Sequence, residues 1–148
     1  MFSFVRKISQ HLYVPVGWTL LTIILLCLPG SAIPSVGMFG LGNVDKFVHF
    51  FFFGFLAMTW AINFSFRLPS DWKKWLIIFC FFSISLGIAL EFVQLYFVAN
   101  RDFDIWDIFA DTLGAIVFSA IFYSSQLKQD VNKKAPVETG AVTKTNCL

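Results

Sequence analysis

The stretch EFVQLYFVANRDFDIWDIFADTLG, residues 91–114, decides how this chain is read. It joins two long apolar runs, yet it carries Glu91, Arg101, Asp102, Asp104, Asp107 and Asp111. Elsewhere charge is scarce: only 14% of the 148 residues are charged, 57% are hydrophobic, and the mean hydropathy of +0.74 implies more apolar surface than a small soluble core can hide. The class that fits is an integral membrane protein, and the question is why it gathers acids in so short an interval.

Working outward, apolar runs at 14–28, 47–64, 75–97 and 105–123 each approach the roughly 20 residues needed to cross a bilayer as a helix. The expected fold is an all-α membrane protein: a compact bundle of four transmembrane helices in one domain, 14–123. Residues 1–13 form a short cytoplasmic segment in this reading, and 124–148 a polar tail whose Lys, Asn, Thr and Pro136 favour disorder. The first run also has a rival reading as a signal peptide, with the small residues Gly30, Ser31 and Ala32 behind it. Residues 29–44 hold two of the five prolines and four of the nine glycines, a helix-breaking composition that predicts an irregular loop.

Nine of the eleven basic residues fall on one side of this topology and only Lys46 and Arg101 on the other, so both termini are expected in the cytoplasm. Tyr13, Trp18, Trp60, Trp72, Trp75 and Tyr123 gather near the inner boundary and Tyr96 and Trp106 near the outer one, as interfacial anchors do. A net charge of +2 with scattered basic residues gives no nucleic-acid surface. Cys27, Cys80 and Cys147 lie too far apart for a metal knuckle or redox pair.

In this topology three separate pieces of chain deliver polar groups to the outer leaflet. Asp45, Lys46 and His49 open the second span, Glu91 and Gln94 close the third, and Asp104, Asp107 and Asp111 open the fourth. The spacings place each set on one helical face: Asp45 and His49 at i, i+4; Gly87, Glu91 and Gln94 at i, i+4, i+7; Asp104, Asp107, Asp111 and Gly114 at i, i+3, i+7, i+10. With 1.5 Å of rise per residue, Glu91 lies roughly 9 Å inside the end of its span and Asp111 roughly 10 Å inside Asp104. An acid at such depth costs on the order of 3 kcal/mol and needs a partner, a proton, a metal or water.

Plainer roles stand beside the functional one. Asp102 and Asp104 suit a cap on the last helix, Lys46 and Arg101 suit headgroup anchors, and His49 alone suits a hydrogen-bonded histidine between helices. Gly54, Gly87 and Gly114 suit close helix packing. Glu91 and Asp111 are the hardest to explain this way.

The ordered set Asp45-Lys46-x-x-His49, Glu91-x-x-Gln94 and Arg101-x-x-Asp104-x-x-Asp107-x-x-x-Asp111-x-x-Gly114 resembles the VanZ-like family of small bacterial membrane proteins, over about residues 14–123. The family often carries asparagine where Asp111 stands. The resemblance implies a four-span core in the bacterial inner membrane, associated in some members with teicoplanin-type glycopeptide resistance. His and acids near one leaflet look like the sites of membrane enzymes that exchange or hydrolyse lipid headgroups.

The expected chemistry follows from the residue types. A phospholipid or polyprenyl-phosphate-linked envelope lipid would present its phosphate to Arg101 and Lys46. His49 would act as general base or acid, oriented by Asp45 or by an acid from another span. Glu91 would hold a proton for the leaving group, and Gln94 would add a neutral hydrogen bond. Asp104, Asp107 and Asp111 would position a water or alcohol, or bind a divalent cation through oxygen. No metal motif is evident, so the metal-free version leads and no cofactor is expected. The alternative is a non-enzymatic lock or a cavity that binds an envelope lipid or antibiotic; four spans without inverted repeats weaken a transporter reading.

Overall fold

The computed structural model describes residues 2–29 and 44–134. Five α-helices follow in order: α1 (Phe2–Ser9), α2 (Tyr13–Leu26), α3 (Val44–Arg67), α4 (Trp72–Phe97) and α5 (Ile105–Lys134), with one 3₁₀ turn, Pro69–Asp71, before α4. Every described element is helical, as the composition requires. Three helical stretches, Val44–Arg67, Pro69–Phe97 and Ile105–Asn132, are long and apolar enough to cross a membrane. The fourth apolar helix, α2, is shorter: its 14 residues rise about 21 Å, less than a typical hydrocarbon core of about 30 Å.

The boundaries differ from those that hydropathy suggests, for a common reason. Hydropathy reports the apolar part of a helix, whereas backbone hydrogen bonding continues into polar flanks. So α3 begins at Val44 and includes Asp45 and Lys46, α4 begins at Trp72, and α5 continues from Tyr123 to Lys134, which makes residues 124–134 of the expected disordered tail 124–148 helical instead. The expected loop 29–44 and the tail beyond 134 fall almost entirely outside the described residues.

Helix α3 is the hub, touching all four other helices. Its residues Phe53, Leu56, Ala57, Ala61 and Ile62 are almost wholly enclosed, which a hydrophobic helix at the centre of a bundle requires. At one level Met58, Ala61 and Ile62 pack with Trp72, Leu76 and Phe122; at the other, Phe53 and Leu56 pack with Leu26 and Leu90. Outward faces stay apolar: Ile77, Phe81, Phe109 and Ile116 are each at least half exposed, a surface suited to lipid rather than water.

Polar side chains tie the helices together where apolar packing gives no direction. The Trp18 indole N–H donates to the Phe52 carbonyl at 3.0 Å, and Trp60 N–H to Thr19 Oγ1 at 3.0 Å. Asn63 donates to the carbonyls of Ser9 and Gln10, both at 3.0 Å, and so satisfies the end of α1. The Ser83 hydroxyl donates to the Phe53 carbonyl at 2.8 Å.

Two backbone features set the relation of α3, α4 and α5. Asn100 adopts φ 59°, a left-handed conformation that asparagine tolerates better than most residues, and the chain turns there from α4 towards α5. At Gly114, a Cβ atom would collide with the backbone carbonyl of Phe50, so α3 and α5 approach more closely than any side chain at 114 allows.

This predicts that Gly114→Ala destabilises the bundle by about 2 kcal/mol, the usual scale of overpacking against an unyielding neighbour. Gly17→Ala, where nothing lies within 4 Å, leaves stability unchanged or slightly raised. The thermal midpoints of the detergent-solubilised proteins check this contrast.

Candidate functional site

The close approach of α3 and α5 brings their polar stripes face to face. His49, on α3, uses Nδ1 to meet Asp111 Oδ1, on α5, at 2.9 Å. An ionised Asp111 carboxylate only accepts, so the imidazole N–H is at Nδ1 and donates to Asp111; in the neutral ring Nε2 then carries the lone pair. That Nε2 is buried, has no hydrogen-bond partner, and lies 3.9 Å from Asp107 Oδ2. Room for Asp111 comes from α4: a Cβ at Gly87 would sit 2.6 Å from Asp111 Oδ2.

One turn towards the helix ends, Lys46 donates to Asp104 Oδ2 at 2.7 Å and Asp107 Oδ1 at 3.2 Å. Asp104 also caps α5, its Oδ1 accepting the Trp106 N–H at 2.8 Å. Its own backbone N–H donates to Glu91 Oε2 at 3.1 Å, so the turn entering α5 holds an acid from α4. The other Glu91 oxygen, Oε1, is buried without a partner. Arg101 donates to Asp45 Oδ2 at 3.2 Å and closes the rim between the connection and α3.

The groups divide into a floor and a rim. His49, Glu91, Asp107 and Asp111 are at most 3% exposed, whereas the side chains of Asp45, Lys46 and Asp104 remain 31–43% exposed. Buried polar groups are held by helix packing and partners, and the rim groups are the ones open to an approaching molecule.

Eight of the nine residues singled out from the sequence thus form one continuous set: Asp45, Lys46, His49, Glu91, Arg101, Asp104, Asp107 and Asp111. Gln94 is the exception among the observed hydrogen bonds. It is buried, but its amide donates at 3.0 Å to the Leu26 carbonyl, one of the unsatisfied carbonyls at the end of α2. That contact explains Gln94 as the tie between α2 and α4. Asp102 is exposed and lies outside the set. The cap reading and the site reading of Asp104 hold together, since one carboxylate serves Trp106 and Lys46.

The sequence model of the VanZ/LLP1 family matches residues 2–127. The chain belongs to that family. With three membrane-length apolar helices, it is a multi-pass membrane protein of the VanZ/LLP1 kind. No curated protein and no solved structure matches it.

Asp104 gives this family member a testable acid-side signature. The Lys46 ammonium, and then the Trp106 N–H, hold its carboxyl below the usual range. A carboxylate whose folded value is lowered contributes stability above its unfolded value, near about 3.9, and that contribution is lost as pH falls through the lowered folded value. Asp104→Asn keeps the cap, because asparagine caps as well as aspartate, but loses the charge partner of Lys46. Thermal midpoints measured across acid pH are expected to fall less steeply for Asp104→Asn than for the wild type.

Proposed function

We propose that the protein is a four-span protein of the bacterial inner membrane with both termini in the cytoplasm. In this reading the constellation lies at the outer leaflet and exchanges or hydrolyses the headgroup of a phospholipid or polyprenyl-phosphate-linked envelope lipid. The distribution of Lys and Arg supports the orientation. The short helix α2 serves as the fourth span with its flanking residues and local thinning of the bilayer.

The observation that carries the reading is a buried histidine fixed by Asp111 whose other ring nitrogen has no partner. Orienting one nitrogen of an imidazole while leaving the other open is how a side chain is prepared for chemistry rather than for packing. A water or alcohol is activated at Nε2 and attacks phosphorus; a new P–O bond forms as the bond to the leaving headgroup breaks. Glu91, through Oε1, supplies the proton that the leaving oxygen takes up, and Lys46 and Arg101 face the phosphate charge at the rim. Removal of such a headgroup from a cell-wall lipid would connect the chemistry to glycopeptide resistance.

A second reading has support of its own. Lys46 with Asp104 and Asp107, and Arg101 with Asp45, already pair charge with charge between α3 and the chain entering α5. Such a network can lock helix register, or line a binding cavity, with no turnover.

The discriminating variants are His49→Asn, whose amide retains a donor near Nδ1 while deleting Nε2, and Glu91→Gln. Purified in detergent, both are expected to keep a wild-type thermal midpoint within a few degrees while headgroup release from a lipid panel falls about 100-fold or more, the scale of lost acid–base catalysis. A wild type silent on every lipid, or variants that simply unfold, would favour the lock or the binding cavity.

A further inference from the structure

Around His49 Nε2 the chemistry is unbalanced. Nε2 presents a lone pair, Asp107 presents Oδ2 to it at 3.9 Å, and Asp45 stands on the same side of α3 one turn away. One ligand atom from each of Asp45, His49 and Asp107 falls within 4.8 Å of the other two. Three acceptors therefore converge, and none of them donates to another. A proton on Nε2 does not resolve this, because 3.9 Å is too long for a hydrogen bond to Asp107. An ion reconciles this pair, because ligand bonds of about 2.1 Å on each side span up to about 4.2 Å, while a ligand atom of Asp45, within 4.8 Å, draws in to complete the trio.

The wider charge balance points the same way. Five carboxylates, Asp45, Glu91, Asp104, Asp107 and Asp111, surround the site, answered by Lys46 and Arg101. With Glu91 carrying the proton it gives to the leaving group and the other four carboxylates ionised, the deficit is two positive charges, which a dication supplies. The histidine itself is arranged as metal-bound histidines are, with the distal ring N–H held by a carboxylate.

We infer that Asp45, His49 Nε2 and Asp107 form a divalent metal site, with water or substrate oxygen completing the coordination. One imidazole nitrogen with carboxylate oxygens suits a first-row transition ion of the Zn²⁺ or Mn²⁺ type better than Ca²⁺ or Mg²⁺, which favour all-oxygen shells. The trio is not the Asp104–Asp107–Asp111 set that carboxylate spacing alone suggests. Asp104 is committed to Lys46 and the Trp106 N–H, and Asp111 to the far side of the imidazole. Asp45, partly exposed at the rim, is the entry point: it accepts from Arg101 through Oδ2 and turns from that pairing to join the ion.

This inference deepens the proposed headgroup chemistry and shares its site: activation at Nε2 then passes through the ion that His49 holds. Its test does not need turnover. Tag-free full-length protein in detergent, stripped with chelator, is titrated calorimetrically with Zn²⁺ and with Mn²⁺, alongside His49→Asn, Asp45→Asn and the distant control Asp130→Asn. Expected are one ion per chain for the wild type and for Asp130→Asn, with affinity about tenfold or more weaker in the two site variants. His49→Asn preserves a donor to Asp111 and Asp45→Asn alters a partly exposed rim group, so both remain folded, which their thermal midpoints verify.

Absence of saturable binding of either ion, or binding unchanged in His49→Asn, overturns the metal site. One-to-one binding that the site variants weaken, with no turnover on any lipid, keeps the metal site and removes the lipid chemistry. Headgroup turnover that survives chelation with no ion bound does the reverse.

Discussion

The hydrogen bond between His49 and Asp111 is the constraint from which the rest of the site follows. Asp111 lies on the face of α5 that meets α3 and α4, almost wholly buried against His49 and Gly87, where a carboxylate without a donor is costly. His49 supplies that donor, and so fixes the register of α3 against α5, the orientation of its own ring, and the direction in which Nε2 faces. The glycines follow from the same need: Gly114 lets the two helices approach, and Gly87 leaves space on α4 for the carboxylate.

Charge beyond this pair is arranged by depth. The deepest groups, His49 and Asp111, satisfy one another, and Glu91 receives a backbone N–H from the turn entering α5. Nearer the boundary, Lys46 and Arg101 answer acids with full charges, where the side chains are partly exposed and such pairs are screened. What remains unanswered is confined to Nε2 of His49, one oxygen each of Glu91 and Asp111, and Nε of Arg101 among the site's described side chains. Unpaired polar atoms are rare in protein interiors, and four of the six buried unpaired side-chain atoms among the described residues gather in this one cluster.

Much of this was legible from residue spacing. The i, i+4 pair Asp45 and His49, and the i, i+3, i+7 series Asp104, Asp107 and Asp111, place polar groups on single faces, and a membrane bundle has only its interior to receive them. Gln94 shows where the method stops: it shares a stripe with Glu91, but periodicity gives a face and not the neighbour opposite it, and that neighbour is the end of α2 at Leu26. Which acid holds the imidazole was likewise hidden, since Asp45 is close in sequence and Asp111 is 62 residues away. The fold was legible as helical and apolar. Helix α1 was not, because eight residues lie below the scale of a membrane-length hydropathy window, and the reach of α5 to Lys134 was not, because a helix keeps its hydrogen bonds after leaving the apolar zone.

The most direct test is the protonation pattern of the His49 ring. The chain has two histidines, so His11→Gln leaves one to observe by ¹⁵N NMR in bilayers. The account predicts a proton on Nδ1, none on Nε2 of the neutral ring, and a marked change at Nδ1 in Asp111→Leu, which removes the acceptor. A neutral ring protonated on Nε2 with Nδ1 bare, or one indifferent to Asp111→Leu, would mean that α3 and α5 do not meet through this pair.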